Sequence, residues 1–444
     1  MVAYVRRYGL CLMDDLHLLT VTREMSDDKL YGLGKSIAPI HNQLISLGWS
    51  ITYFSQTDLH ESQLNKKNKF IKFVQFMLMA KRFKHESFIH ALIERMFMGF
   101  LASQIQLKKE CTHVHFHDPW IALGFLLHQY IGIERIFKRF TIKPTQHQSV
   151  LNPNIFLTQH GFGAYCEAVK MDGVQIGVKT LRFMKTIEKW VCSKMMRVIA
   201  PTQICLDQLA IDLDILPQSI LERKTKTSSV NLYESTRFPS NWIKVPHVIH
   251  NFSKVDYHKT RQELKLPEEA TIILTVGRLA PLKQFDVVIK IFADLCKQSD
   301  SVHLIILGGG DPTFLTSLAE SLGVLDKITF TSTNQVDSYY SAADIYISAS
   351  LTESFGLANL EALTSGLPCI CTRVGGVPEV VQDAALLVEP NQSSIASGLK
   401  LLLMDPIQKE QLLEASKRLI SAWPTVEEIT QTYVQIFQPN TKSA

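Results

Sequence analysis

Two carboxylates eight positions apart, Glu353 and Glu361, follow directly on an apolar run, Ile345 to Ser348, and frame the segment Ser354-Phe355-Gly356-Leu357. If the run is a strand and a helix opens near Phe355, Glu361 lies on the order of 9 Å down the helix axis, at ~1.5 Å per residue. The free backbone N–H groups of a helix start form an anion site, and Gly356 lets a ligand approach the main chain closely. Carboxylates accept well from vicinal hydroxyls. The spacing therefore suits a long ligand, with a diphosphate at the helix start, hydroxyls on Glu353 and a ribose diol on Glu361. Taken alone, Glu353 reads equally as a charge complementing the helix dipole and Glu361 as a solvated helix residue.

A second cluster, Gly277-Arg278-Leu279-Ala280-Pro281-Leu282-Lys283, comes immediately after the apolar run Thr271 to Val276. Ligands of open α/β sheets bind at the carboxyl ends of strands, and two cations there neutralise a diphosphate and stabilise it as a leaving group. Gly375 and Gly376, after the run Pro368 to Thr372, offer a third turn at which backbone can approach phosphate. Three separate loops point to one chemistry.

These loops need a scaffold, and the pattern supplies it. Short runs rich in Val, Ile, Leu and Thr alternate with longer helical patterns, the signature of strand-helix-strand units and parallel sheets. In the first half the expected strands are Leu18 to Thr22, Ser50 to Phe54, His113 to His117, Ile155 to Gln159 and Val198 to Ala200. In the second half they are Thr271 to Val276, His303 to Leu307, Ile328 to Phe330, Ile345 to Ser348, Pro368 to Thr372 and Ala385 to Val388. Two sets imply two doubly wound α/β domains, in keeping with 444 residues at roughly 150 per domain. The polar stretch Pro217 to Pro246 reads as an insertion or linker and puts the boundary near Lys244. Val426, Ile429, Tyr433, Ile436 and Phe437 form a closing amphipathic helix that either domain could receive.

Composition excludes several classes. A formal charge of +4 announces no nucleic-acid binder. Eight cysteines without a CxxC pair indicate neither a zinc ribbon nor a dense disulfide framework, so a cytoplasmic setting is expected. Asp14, Asp15 and His17 spoil a signal-peptide core, and the apolar stretch Trp120 to Ile133 falls short of the ~20 residues of a spanning helix. Lys66 to Lys84 carries seven basic residues and no acid among Phe and Met side chains, which suits either a solvated helix or peripheral contact with an anionic membrane.

Other motifs weaken on inspection. Lys29 to Ser36 approaches a P-loop, but Lys29 stands where the first glycine belongs; a glycine loop facing phosphate or acceptor fits Gly32 and Gly34 better. His113, His115 and His117 alternate on one strand and share a face that could ligate zinc, although strand histidines more often pack and hydrogen-bond. Asp212-Leu213-Asp214 lies in an apolar helical context, and Gly308-Gly309-Gly310 lacks the third glycine of a dinucleotide fingerprint, with Thr313 in its place. No metal site is expected.

The chain resembles the family 4 retaining glycosyltransferases of the GT-B fold, densely over Gly277 to Glu389. The residues that carry the likeness are Glu353 and Glu361 with seven between them, Gly277, Arg278 and Lys283, and Gly375, Gly376 and Glu379. In the first half Gly32, Gly34, His115, His117, Asp118, His160 and Asn251 match in order. The resemblance implies two facing Rossmann-like domains, residues 1–244 on the acceptor side and 245–423 holding a nucleotide diphosphate sugar, with 424–444 crossing back as a helix. It implies transfer of a hexosyl group to an acceptor hydroxyl with retained configuration, through a short-lived oxocarbenium-like ion pair, with the nucleotide sugar as co-substrate and no cofactor required. By the same likeness Arg278 and Lys283 bind the diphosphate, Glu353 the sugar and Glu361 the ribose. Ser354, Phe355, Gly356 and Leu357 complete the donor loop, and His160 lies beside the reacting sugar. His117, Asp118, Gly32 and Gly34 belong to the acceptor or phosphate loops. A nucleotide-sugar 2-epimerase, or a homologue that binds nucleotide sugar without catalysis, uses a similar scaffold.

Overall fold

Continuous apolar runs such as Thr271-Ile-Ile-Leu-Thr-Val276 bury side chains on both faces, which only a parallel sheet covered on both sides allows. The computed structural model describes residues 16–23, 32–58, 86–131, 152–171, 173–217, 239–249, 256–333 and 335–438. It contains two such sheets, each of six parallel strands. The first comprises β1 (His17–Val21), β2 (Ser50–Phe54), β3 (His113–Phe116), β4 (Asn154–Thr158), β5 (Arg197–Ala200) and β6 (Trp242–Lys244), ordered β2-β1-β3-β4-β5-β6. The second comprises β7 (Thr271–Val276), β8 (Val302–Leu307), β9 (Ile328–Thr331), β10 (Ile345–Ser348), β11 (Cys369–Thr372) and β12 (Leu386–Val388), ordered β12-β11-β10-β7-β8-β9.

Each order reverses direction once, between β1 and β3 in the first sheet and between β7 and β10 in the second. Connections leave to opposite faces at such a point and open a crevice beyond the strand ends. The loops after β1, β3, β7 and β10 are therefore the ones that the topology makes available for binding.

Two apolar clusters flank each sheet. On one face of the first sheet the cluster is completed from the far end of the chain. The helix Val426–Phe437 inserts Ile429, Tyr433, Ile436 and Phe437 against Leu18, Trp49, Phe156 and the helix Gly32–Ser46. Thr425 and Glu428 start this helix with a reciprocal capping box, directly after Pro424. The seven described cysteines are free, and no helix among the described residues is long and apolar enough to cross a membrane.

Three expectations need correction. The stretch Pro217 to Pro246 is not wholly linker, because Trp242–Lys244 pairs in register with Val198–Ala200 as the edge strand of the first sheet. Only three residues long and bounded by polar sequence, it has no apolar run to announce it. The helix after β10 opens at Leu357 rather than Phe355, with Gly356 as its N-cap at φ +82°. Glu361 therefore lies four residues into the helix, about 6 Å along its axis. Finally, Glu361 is not a solvated helix residue, being only 6% exposed. The basic segment Lys66 to Lys84 and Asn251 lie outside the described residues.

Candidate functional site

The loop after β10 is pinned by hydrogen bonds and an ion pair to the turn after β7. Ser350 Oγ donates to Glu353 Oε1 at 3.0 Å, and Lys283 reaches the same oxygen in an ion pair. Leu351 N donates to the carbonyl of Leu282 at 2.8 Å, so the Lys283 turn and the Glu353 loop move as one piece. The N-cap Gly356 offers no side chain, and the amides of Leu357 and Ala358 find no acceptor among the described residues. They remain available to an anion. Arg278, after β7, has its guanidinium in no ion pair with a described residue.

The Gly375-Gly376 turn does something other than approach phosphate. A Cβ on Gly375 would stand 2.0 Å from the Glu353 carbonyl oxygen, and one on Gly376 2.1 Å from that of Ser354. Their bareness lets this turn lie against the Glu353 loop, where Gly376 N donates to Glu353 O at 2.9 Å. Glu379 then accepts from the amides of Gln203 and Ile204, at the start of a helix of the first half, and from Lys244. Thr202 Oγ1 donates to Ser354 O at 3.0 Å. The second-sheet loops are thus tied to the first half of the chain.

Glu361 points back toward the same crevice. Tyr340, wholly buried, donates its hydroxyl to Oε2 at 2.9 Å, and Lys35 reaches Oε1 at 2.7 Å. Lys35 lies in the first turn of the helix Gly32–Ser46, so this ion pair crosses from one half of the molecule to the other.

From the first sheet come neutral rings. Among the alternating histidines, His113 donates through Nε2 to the Phe437 carbonyl (3.0 Å) and His115 bonds Thr158 (2.7 Å), so both are committed to packing. His117 alone faces the crevice, with Nδ1 2.7 Å from His160 Nε2. His160 stacks between His117 and His247, and His247 meets the edge of Phe355 at 4.7 Å. Burial first, then the neighbouring imidazoles, holds His117 and His160 well below the usual histidine range, and burial brings His247 down to about 4. All three are uncharged at neutral pH, so the column offers polar edges without positive charge. No cluster of three or more His, Cys, Asp or Glu among the described residues is placed to hold a metal ion.

Supporting groups fix this wall. Asp118 Oδ1 caps the helix Pro119–Ile131 through the amides of Trp120 and Ile121, while Oδ2 takes Arg95 Nε at 2.8 Å. Buried Glu188 accepts from the amides of Tyr165 and Cys166, and burial raises its carboxyl to about 7. Asp212 accepts from Ala164 N and from Gln208, which makes the Asp-x-Asp pattern an anchor for the loop after His160.

The facing crevices form one cavity of about 470 Å³. It brings together Gly277, Arg278, Lys283, Glu353, Ser354, Phe355, Gly356, Leu357, Glu361, His117, Asp118 and His160. Gly34 does not line it; with Gly32 it opens the helix that delivers Lys35. Sequence reasoning missed Lys35, Arg95, Tyr165 and His247. Lys35 had a signal, since it follows the Gly-x-Gly after β1, whereas His247 had none. A depression of equal volume beside β6, lined by Lys244, Glu379, Arg418 and Trp423, shows that size does not choose the site. Only the first cavity lies at both topological switch points and carries free helix amides.

Two parallel doubly wound sheets facing one cleft define the GT-B fold, and comparison with solved structures agrees over nearly the whole chain. A glycosyltransferase from Rickettsia africae superposes with TM-score 0.62 at 16% identity, covering 97% of this chain and 100% of that one. WaaG, described as a glycosyltransferase involved in lipopolysaccharide biosynthesis, gives 0.64 at 16%, covering 96% and 100%. Anabaena Alr3699/HepE in complex with UDP-glucose gives 0.63 at 14%, covering 96% and 100%. Residues 256–419 match the family model described as glycosyl transferases group 1, and this part of the chain is a domain of that group. A D-inositol 3-phosphate glycosyltransferase of Acidothermus cellulolyticus is 32% identical over 180 residues, 37% of this chain and 40% of that protein. An N-acetyl-alpha-D-glucosaminyl L-malate synthase of Bacillus anthracis is 27% identical over 190 residues, 42% and 50%. The chain thus aligns with half or less of the length of these two curated relatives.

Proposed function

We propose that the protein transfers a hexosyl group from a nucleotide diphosphate sugar to an acceptor hydroxyl, with retention of configuration. The observation that carries this reading is the single cavity in which Arg278, Lys283 and the Leu357 and Ala358 amides face Glu353 and Glu361. The two cations and the helix start take the diphosphate, Glu353 takes sugar hydroxyls, and Glu361 takes the ribose diol. His160, uncharged, lies beside the sugar and adds no positive charge next to a developing oxocarbenium ion.

Charge stabilisation on the departing diphosphate does most of the work. The bond from the anomeric carbon to the diphosphate oxygen breaks, and the acceptor oxygen bonds to the same face. Its proton passes to the departing phosphate oxygen, the nearest base, since Asp118 is held by Arg95 and Glu353 by Lys283. UDP-glucose, bound by HepE, is the first donor to try, and the relatives' names suggest acceptors carrying phosphate or carboxylate. We further propose domain limits of 1–244 and 245–423, with residues 424–444 as the returning helix.

A thermal-shift screen of UDP-, GDP- and ADP-sugars tests the donor, because selective binding stabilises the folded state, by ~2.7 kcal/mol at a hundred times Kd. One nucleotide class should raise the melting temperature, and the selected sugar nucleotide should be consumed only when acceptor is present. Isomerised donor in the absence of acceptor would make the protein an epimerase, and no shift with any of the three would remove the reading.

A further inference from the structure

Two ion pairs line the cleft: Lys283 holds Glu353, and Lys35 holds Glu361 from the opposite domain. From this we propose that Lys35 is a positioning residue that exchanges partners, leaving Glu361 for the donor's diphosphate when the ribose arrives; the inference rests on the donor reading above.

Both oxygens of Glu361 are already engaged, Oε2 by Tyr340 and Oε1 by Lys35. A ribose diol that donates to this carboxylate competes with the ammonium at 2.7 Å. Lys35 cannot simply be left without a partner, because its side chain is only 14% exposed and a desolvated, unpaired charge is costly. The other carboxylates on the cleft wall are committed, Asp118 to Arg95 and Glu353 to Lys283 and the sugar. The anion that enters the same cavity is the diphosphate, and Lys35 joins Arg278 and Lys283 around it. The exchange makes the nucleoside and its phosphates interdependent. The ribose alone must displace a cation that has nowhere to go, whereas the complete nucleotide supplies the displaced cation with a new partner. It also ties the Gly32–Ser46 helix, and through it the first domain, to an occupied donor site.

The test is calorimetric titration of UDP and of uridine into the wild type, Lys35→Met and Lys35→Arg, with GDP and guanosine or ADP and adenosine if the screen selects those bases. Lys35→Met should tighten uridine, since Glu361 no longer has a competing cation, and weaken UDP. The ratio of uridine to UDP dissociation constants should fall on the order of tenfold or more. Lys35→Arg, which keeps the charge and reach, should hold the wild-type ratio. An unchanged ratio in Lys35→Met, or an Arg variant that behaves like Met, overturns the exchange while leaving the donor reading intact. A wild type that binds none of the three nucleotides overturns both.

Discussion

The two switch points of the molecule are built alike and used differently. Around β7 and β10 the loops are short and locked by backbone bonds, and they present charge: Arg278, Lys283, Glu353 and Glu361. Around β1 and β3 the wall presents neutral imidazoles, one ion pair closed on itself between Arg95 and Asp118, Arg23 just after β1, and Lys35 reaching across to Glu361. The family model follows the same division, matching residues 256–419, while the whole fold is shared with the three solved structures at 14–16% identity. The difference teaches that a fixed ligand fragment imposes fixed side chains. On the proposed donor reading, diphosphate and ribose present the same charges and hydroxyls whatever sugar they carry, so the loops assigned to them are constrained in type and spacing. The facing wall need only position and exclude water.

That contrast can be broken directly. Lys283→Glu places like charges together at Glu353, and Glu353→Gln weakens the acceptor proposed for the sugar; each should cost on the order of 10²–10³ in turnover with the melting temperature little changed. Normal turnover in either, followed by nucleotide release, would take the chemistry away from the second-sheet loops. The stability of the first half should in turn depend on the end of the chain. Phe437 is 1% exposed and packs on Trp49, His113 and Phe156, so Phe437→Ala should destabilise by about 3–5 kcal/mol. Hydrogen exchange should show the loss at β1, β3 and β4 and spare β7; equal loss in both sheets would contradict the division.

Acid should separate the halves more gently. His41 and His247 are held down to about 4 by burial, and His115 to about 3 by burial and then by His41. The unfolded chain protonates these rings below ~6.5 and the folded one does not until near 4, so their contribution to stability is complete above 6.5 and declines as pH falls through that window. Each contributes a slope of about 1.4 kcal/mol per pH unit. His303 is the one described histidine of the second sheet whose pKa is lowered, so urea midpoints between pH 6.5 and 4 should fall chiefly for probes in the first half. A uniform decline would mean that these buried histidines do not set the acid response.

Much of this was legible in the chain because it is local. Every strand of the second sheet announced itself as an apolar run, and the residues that follow β7 and β10 read as anion-handling loops from their own order. Lys35 was visible only as part of a failed P-loop, since the residue that gives it meaning, Glu361, lies 326 positions away. The Gly-Gly turn was legible as a close approach but not as an approach to backbone, because a glycine says that space is scarce and not what fills it. Strand β6 escaped because three residues pairing at a sheet edge bury too little to leave a pattern.

Alternation of apolar and polar runs, and the cations and carboxylates at strand ends, were determined by the sequence alone, because burial on two faces and charge at a turn are properties of neighbouring residues. Which of those charges meet was decided by tertiary structure. Lys35 on Glu361, His160 between His117 and His247, and Phe437 closing over the first strand all depend on how two sheets face each other, and no short window of the chain contains both partners.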